Sequence, residues 1–168
     1  MRIFASLLVL ILLGFGLWPY YGVYRLDHAI AQPDIATLAP LVDLPAIRAN
    51  YKRRVTTDVK TIVPETASAD AQGVMSWIGQ NLERLGDAAL DQVITPAWVQ
   101  ATLREAITKT TGQTPAYLMA GIDFAFFESY NRFLIRIGDL GQRPTHVRLT
   151  LIGTEWKITD IITSGPLD

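Results

Sequence analysis

Asp160 demands more of its surroundings than any other ionisable side chain in the sequence. It lies in Trp156-Lys157-Ile158-Thr159-Asp160-Ile161-Ile162, where strict alternation puts it on one face with Trp156, Ile158 and Ile162. A carboxylate carried into a core without compensating donors is driven toward its neutral form. A carboxyl of that kind in a pocket can serve as a general acid or base. Glu128 and Tyr130 share parity with Phe124 and Phe126 in an earlier segment. Asp160, Glu128, Tyr130, Phe124, Phe126 and Trp156 therefore form the candidate pocket. The structural expectation competes with it: Asp160 near a sheet edge, held by an arginine or a helix end, and Glu128 in solvent, since glutamate is seldom buried unpaired.

A second constellation is cationic. Arg132, Arg136, His146, Arg148 and Lys157 fall on the opposite face of the same strands. Such a face could receive an anionic headgroup or an acidic partner; a plain solvated sheet face has the same pattern. Arg48, Lys52, Arg53 and Arg54 cluster on a helix and could touch anionic lipid. His28 and His146 are the only histidines, and neither has ligand partners at metal-binding spacing, so no metal is assigned. No phosphate-cradling glycine loop and no nucleophile elbow occurs, and no cofactor is implied. The net charge of −1 argues against a general nucleic-acid binder.

What positions these residues begins with an anchor. Ile3 to Tyr24 is uncharged, with Arg2 before it and Arg25 after it. As helix it measures about 33 Å, enough for a hydrocarbon core of about 30 Å. Trp18, Tyr20, Tyr21 and Tyr24 supply an aromatic belt at its C-terminal end, and Pro19 is expected to kink or end the apolar helix. Ala29-Ile30-Ala31 fits a signal-peptidase site, but it lies far beyond the apolar run and behind charged residues, which favours an uncleaved anchor. Arg2 and the α-amine favour an N-terminus inside and the rest outside. The expectation is a single-pass inner-membrane protein: residues 1–24 as anchor, residues 25–168 as one periplasmic domain. The chain has no cysteine, which permits an oxidising compartment and rules out any thiolate site.

The remaining stretch, about 140 residues, suffices for one domain with a core. Its first half has helical period. Asp34 and Asp43 are N-caps, Pro45 sits in a first turn, and Ile47, Tyr51, Val55, Val59 and Ile62 form a stripe. A second amphipathic helix is expected over 71–85, a short one over 88–94, and Thr95-Pro96 restarts a third. The second half has period two. Strands are expected over 122–130, 133–137, 145–152 and 156–163, with a hairpin turn at Gly153-Thr154. That turn pairs Leu151 with Trp156, Leu149 with Ile158, and Arg148 with Thr159. The fold class is α+β: a transmembrane helix, then a helical layer packed on a four-stranded antiparallel sheet.

Several segments resemble a bacterial family of uncharacterised single-anchor envelope proteins, domain of unknown function family 2939. They are the leader, Tyr20-Tyr21-Gly22-Val23-Tyr24-Arg25-Leu26, Leu41-Val42-Asp43-Leu44-Pro45-Ala46-Ile47-Arg48, Val93-Ile94-Thr95-Pro96 and Trp156-Lys157-Ile158-Thr159-Asp160-Ile161. The resemblance implies an envelope location and carries over no catalytic residue. The helices and closing strands also resemble the cone-shaped folds typified by nuclear transport factor and cystatin.

The favoured expectation is a non-catalytic binding or assembly module, tethered through residues 3–24, with a protein partner in the envelope. The alternative is a carrier of lipid or another apolar molecule held between sheet and helices, lined by Phe124, Phe126, Trp156, Trp98 and Trp77. Last in order is a small hydrolase or isomerase built on Asp160, which requires a pocket open to water.

Overall fold

The computed structural model describes residues 2–62 and 88–163. The helix expected over 71–85, and Trp77 with it, lie outside the described residues. The fold is α+β. In chain order come α1 (Arg2–Ala31), 3-10 turns at Ile35–Thr37 and Ala39–Leu41, and α2 (Leu44–Ile62). Helical residues 88–93, α3 (Pro96–Thr111) and the short α4 (Leu118–Gly121) follow. Then come β1 (Ile122–Ser129), β2 (Arg132–Ile137), a 3-10 turn at Leu140–Gln142, β3 (Thr145–Ile152) and β4 (Glu155–Thr163). The strands form one antiparallel sheet in the order β1-β2-β3-β4.

The caps fall where the side chains ask for them. Asp34 accepts from the Ala36 N–H, Asp43 from the Ala46 N–H and Thr95 from the Trp98 N–H. Pro19 neither ends α1 nor divides it; the helix runs unbroken from Arg2 to Ala31. Packing outweighs the one backbone bond that proline removes: beyond it, Val23, Leu26, Ala29 and Ile30 are buried in the domain core. Gly22 permits the close approach, since a Cβ there would stand 2.8 Å from Trp156 Cβ. The C-terminal carbonyls of α1 are satisfied by α3. Arg104 Nε donates to Ile30 O at 2.8 Å, and Gln100 Nε2 to Ala29 O at 3.4 Å and, just past the helix, to Gln32 O at 2.9 Å.

The inner face of the sheet presents Phe133, Ile135, Ile137, Val147, Leu149, Trp156, Ile158 and Ile161, all buried, against Leu26 and Ile30 of α1 and Leu103 and Ile107 of α3. α2 lies along β4 and covers that edge. Asp43 N donates to Ile158 O (2.8 Å), Asn50 Nδ2 to Thr159 O (2.9 Å) and Arg54 Nη2 to Ile161 O (3.0 Å). Strand carbonyls that would otherwise invite another chain are thereby occupied.

The Gly153-Thr154 hairpin forms as expected, with Gly153 at φ 62° and Leu151↔Trp156, Leu149↔Ile158 in register. The next pair differs. Arg148 faces Asp160, not Thr159, because one extra residue of β4 is accommodated there. A one-residue bulge reverses the facing of everything beyond it. Ile161 thus enters the core in place of Ile162, and Asp160 moves to the outer face. β1 carries two further register shifts, at Asp123 and at Glu128.

Candidate functional site

The outer face of the sheet gathers carboxylates from three strand positions onto arginines from two strands and a helix. Arg148 on β3 is central. Its Nη1 donates to Asp160 Oδ2 at 3.1 Å; its Nε and Nη2 donate to Glu128 Oε2 at 2.6 Å and Oε1 at 3.1 Å. Arg54 reaches over from α2 and donates through Nη1 to Asp160 Oδ1. Toward the far end of the sheet, Arg136 donates through Nε to Asp123 Oδ2 at 3.0 Å. Its guanidinium stands 5.3 Å from the centre of the Phe124 ring. Thr150 and Thr159 join their hydroxyls at 2.7 Å beside this network.

The backbone irregularities explain the convergence. Asp123 and Glu128 sit at the two register shifts of β1, and Asp160 directly follows the extra residue of β4. Bulges re-aim side chains, and here each of the three carboxylates meets an arginine.

The electrostatics follow the hydrogen bonds. The bidentate contact from Arg148 holds the Glu128 carboxyl below its ordinary range, against an opposing effect of burial. The same contact raises the Arg148 guanidinium. Partial burial, and then the charge of Arg136, lower the His146 imidazole.

This geometry answers for each expected residue. Asp160 is 2% exposed, as a core position would be, but it lies on the outer face with both oxygens engaged by guanidinium groups. Glu128 is clamped by Arg148. Tyr130 is 76% exposed in the β1–β2 turn, beyond the Ser129–Arg132 pair, and does not converge with the two carboxylates. Phe124 and Phe126 point outward, 49% and 40% exposed, and do not line the space between sheet and helices. The register shift at Asp123 reverses their facing, and Phe127 packs inward on Phe133 and Trp156 in their place. Trp156 is in the core as expected. An acid–base trio of Asp160, Glu128 and Tyr130 is therefore not assembled.

The cationic residues lie on the outer face, where Arg136, Arg148 and Lys157 are partners of its carboxylates. Arg136 and Arg148 are paired as described, His146 lies across from Arg136 on β3, and Lys157 Nζ stands 3.8 Å from Glu155 Oε2. Arg132 is exposed at the start of β2. Two members of the basic cluster of α2 also turn inward, while Arg53 is exposed. Arg48 donates to Ile94 O at 2.8 Å and pairs with Asp91 at 2.7 Å, and Arg54 seals Asp160. Helical periodicity alone does not reveal the inward role of Arg54. One signal was available: Ile161 falls at the wrong parity for a strand that keeps Asp160 inside, which is the pattern a bulge resolves.

Among the described residues, the apolar side chains of the sheet pack directly on those of α1 and α3. Two shallow depressions lie on the surface of α1. One, of about 200 Å³, is bordered by Tyr24, Arg25, His28, Ala29, Thr37 and Leu41. The other, of about 100 Å³, is bordered by Trp18, Tyr21, Gly22, Arg25, Thr154, Glu155 and Trp156. Both are small for a lipid or a drug-sized ligand, whose sites are typically about 300 Å³ or more. Among the described residues, no three histidine or acidic side chains come together as a metal would need.

α1 is the one described helix long and apolar enough to cross a membrane. Its N-terminal half is exposed, and its C-terminal half is part of the core.

Neither a curated protein nor a solved structure matches the chain. A family model described as "Protein of unknown function (DUF2939)" matches residues 8–102. The match begins in the apolar part of α1 and stops within α3, so the sheet and its closing Trp156–Ile161 motif lie outside it. With more than half of its length matched, the chain belongs to this family of proteins of unknown function.

Proposed function

We propose that the protein is a single-pass, membrane-tethered module without catalytic chemistry, whose domain binds or organises a protein partner. Its anchor lies within residues 1–24, the last of which (Gly22, Val23) already pack into the domain, and residues 25–168 form that domain on the periplasmic side of an inner membrane. One observation carries the tether: α1 is a single helix whose exposed apolar half, from Ile3, continues without a linker into a half buried in the domain core. A tether of this kind fixes the domain's height and orientation at a membrane surface. Cleavage after Ala31 would remove Val23, Leu26, Ala29 and Ile30 from that core, which supports an anchor that stays attached.

The enzyme reading loses its motive, because its carboxylate is sealed by Arg54 and Arg148. The carrier reading is not supported by the depressions on α1, which at about 200 and 100 Å³ are small for an apolar ligand.

The absence of cysteine makes the test clean. Lys109→Cys, at an exposed position of α3, supplies the sole thiol. Labelling of intact cells with a membrane-impermeant maleimide, together with recovery of the full chain in the membrane fraction, is the expected result. Labelling only after lysis would reverse the orientation, and recovery as a soluble chain would remove the tether. Crosslinking in intact membranes then addresses the partner: failure to recover any stoichiometric protein would overturn the binding role.

A further inference from the structure

Among the described residues, the part of α1 that stands clear of the domain is too short to cross a bilayer alone. Phe15 already stacks on Phe127 of β1, with ring centres 6.0 Å apart. Ile3 to Gly14 provides about 18 Å of helix, against a hydrocarbon thickness of about 30 Å. Tilting α1 would only enlarge the deficit. The missing length comes from the portion flanked by the sheet, so the end of the sheet nearest Phe15 cannot stand away from the lipid.

That end holds two hairpin tips. β1–β2 turns at Tyr130-Asn131 and β3–β4 turns at Gly153-Thr154, on the same side of the meander. Leu151 N donates to Asn131 O at 2.9 Å and ties the tips to each other. Trp18 Nε1 donates to Thr154 O at 3.2 Å and ties them to α1. The side chains displayed there suit an interface. Tyr130 is exposed, as noted, and Ile152 is 41% exposed beside the Gly153 turn. Trp18 and Tyr21 are exposed on the adjoining turns of α1, and Arg132 flanks Tyr130. Amphipathic rings and long cations favour the headgroup layer.

We infer that Tyr130 and Ile152 enter the headgroup layer of the bilayer that α1 crosses, making the hairpin end of the sheet a second membrane contact. The inference rests on the reading of α1 as a membrane span, and the experiment separates the two. Full-length protein carrying one cysteine, at Tyr130, Ile152, Leu10 or Lys109, is labelled with an environment-sensitive fluorophore. It is then reconstituted into phosphatidylethanolamine–phosphatidylglycerol vesicles containing lipids spin-labelled at shallow or deep positions. Leu10→Cys should lose fluorescence to the deep quencher, and Tyr130→Cys and Ile152→Cys to the shallow one. Lys109→Cys should lose it to neither. Quenching at Leu10 with Tyr130 and Ile152 as unaffected as Lys109 overturns the second contact and leaves the anchor standing. Absence of quenching at Leu10 overturns both.

Discussion

Trp18 on α1 donates its indole hydrogen to the carbonyl oxygen of Thr154 in the β3–β4 turn, across 3.2 Å. Four residues further along α1, Gly22 lies against Trp156 on the following strand. Helix and hairpin therefore share a seam, and the apolar segment is held by the domain at a fixed point.

Enlarging Gly22 should open that seam. A Cβ at this position meets Trp156 Cβ at 2.8 Å, a contact between two stiff frameworks. Gly22→Val is expected to lose about 1–3 kcal/mol through overpacking, read by chemical denaturation in mild detergent. Gly14→Ala has open space around it and should leave stability unchanged.

Removing the N-terminal segment should expose which part of α1 the domain needs. A chain lacking residues 1–31 loses Val23, Leu26, Ala29 and Ile30 from the core. Burial of each larger one is worth about 1.5–3 kcal/mol, and a domain of this size has only about 5–15 kcal/mol in total. The truncated chain is expected to unfold or aggregate, as judged by circular dichroism and gel filtration. Removal of residues 2–14 should preserve the fold.

Asp160 is predicted to be structural. Replacing it with leucine leaves Arg54 and Arg148 close together with no shared carboxylate. Loss of one partner from a buried ionic cluster costs about 3–5 kcal/mol. The low end is expected here, because both arginines keep some access to water. Arg148→Met should also weaken the fold. A double-mutant cycle between the two positions should show coupling, because they share a contact.

Acidification should destabilise the domain in two steps. His146 has a lowered pKa in the fold, so the unfolded chain takes up its proton first as pH falls through about 6.5. The stability that neutral His146 provides is present above that value and fades below it. Glu128, also lowered, stays ionised in the fold while the unfolded chain protonates near pH 4.5. Its contribution is present above that value and is lost as pH falls through the folded pKa. Urea midpoints measured across the acid range should decline in this order. His146→Asn should flatten the upper step alone, and Arg148→Met the lower one.

The sequence by itself determined the parts that rest on local chemistry. The uncharged run gave α1, Thr95-Pro96 gave the start of α3, and alternation with a glycine turn placed β3 and β4 within a residue of their bounds. Tertiary structure decided which way several of these elements face. Alternation is blind to a single inserted residue, and bulges reverse the facing of Phe124, Phe126 and Asp160. Burying Ile158 and Ile161 together, with Asp160 between two arginines, is a gain no reading of one strand contains. The continuation of the helix over Tyr24 to Ala31 was legible; that its stretch beyond Pro19 is buried in the core was not, because hydropathy separates lipid from water but not lipid from a protein interior.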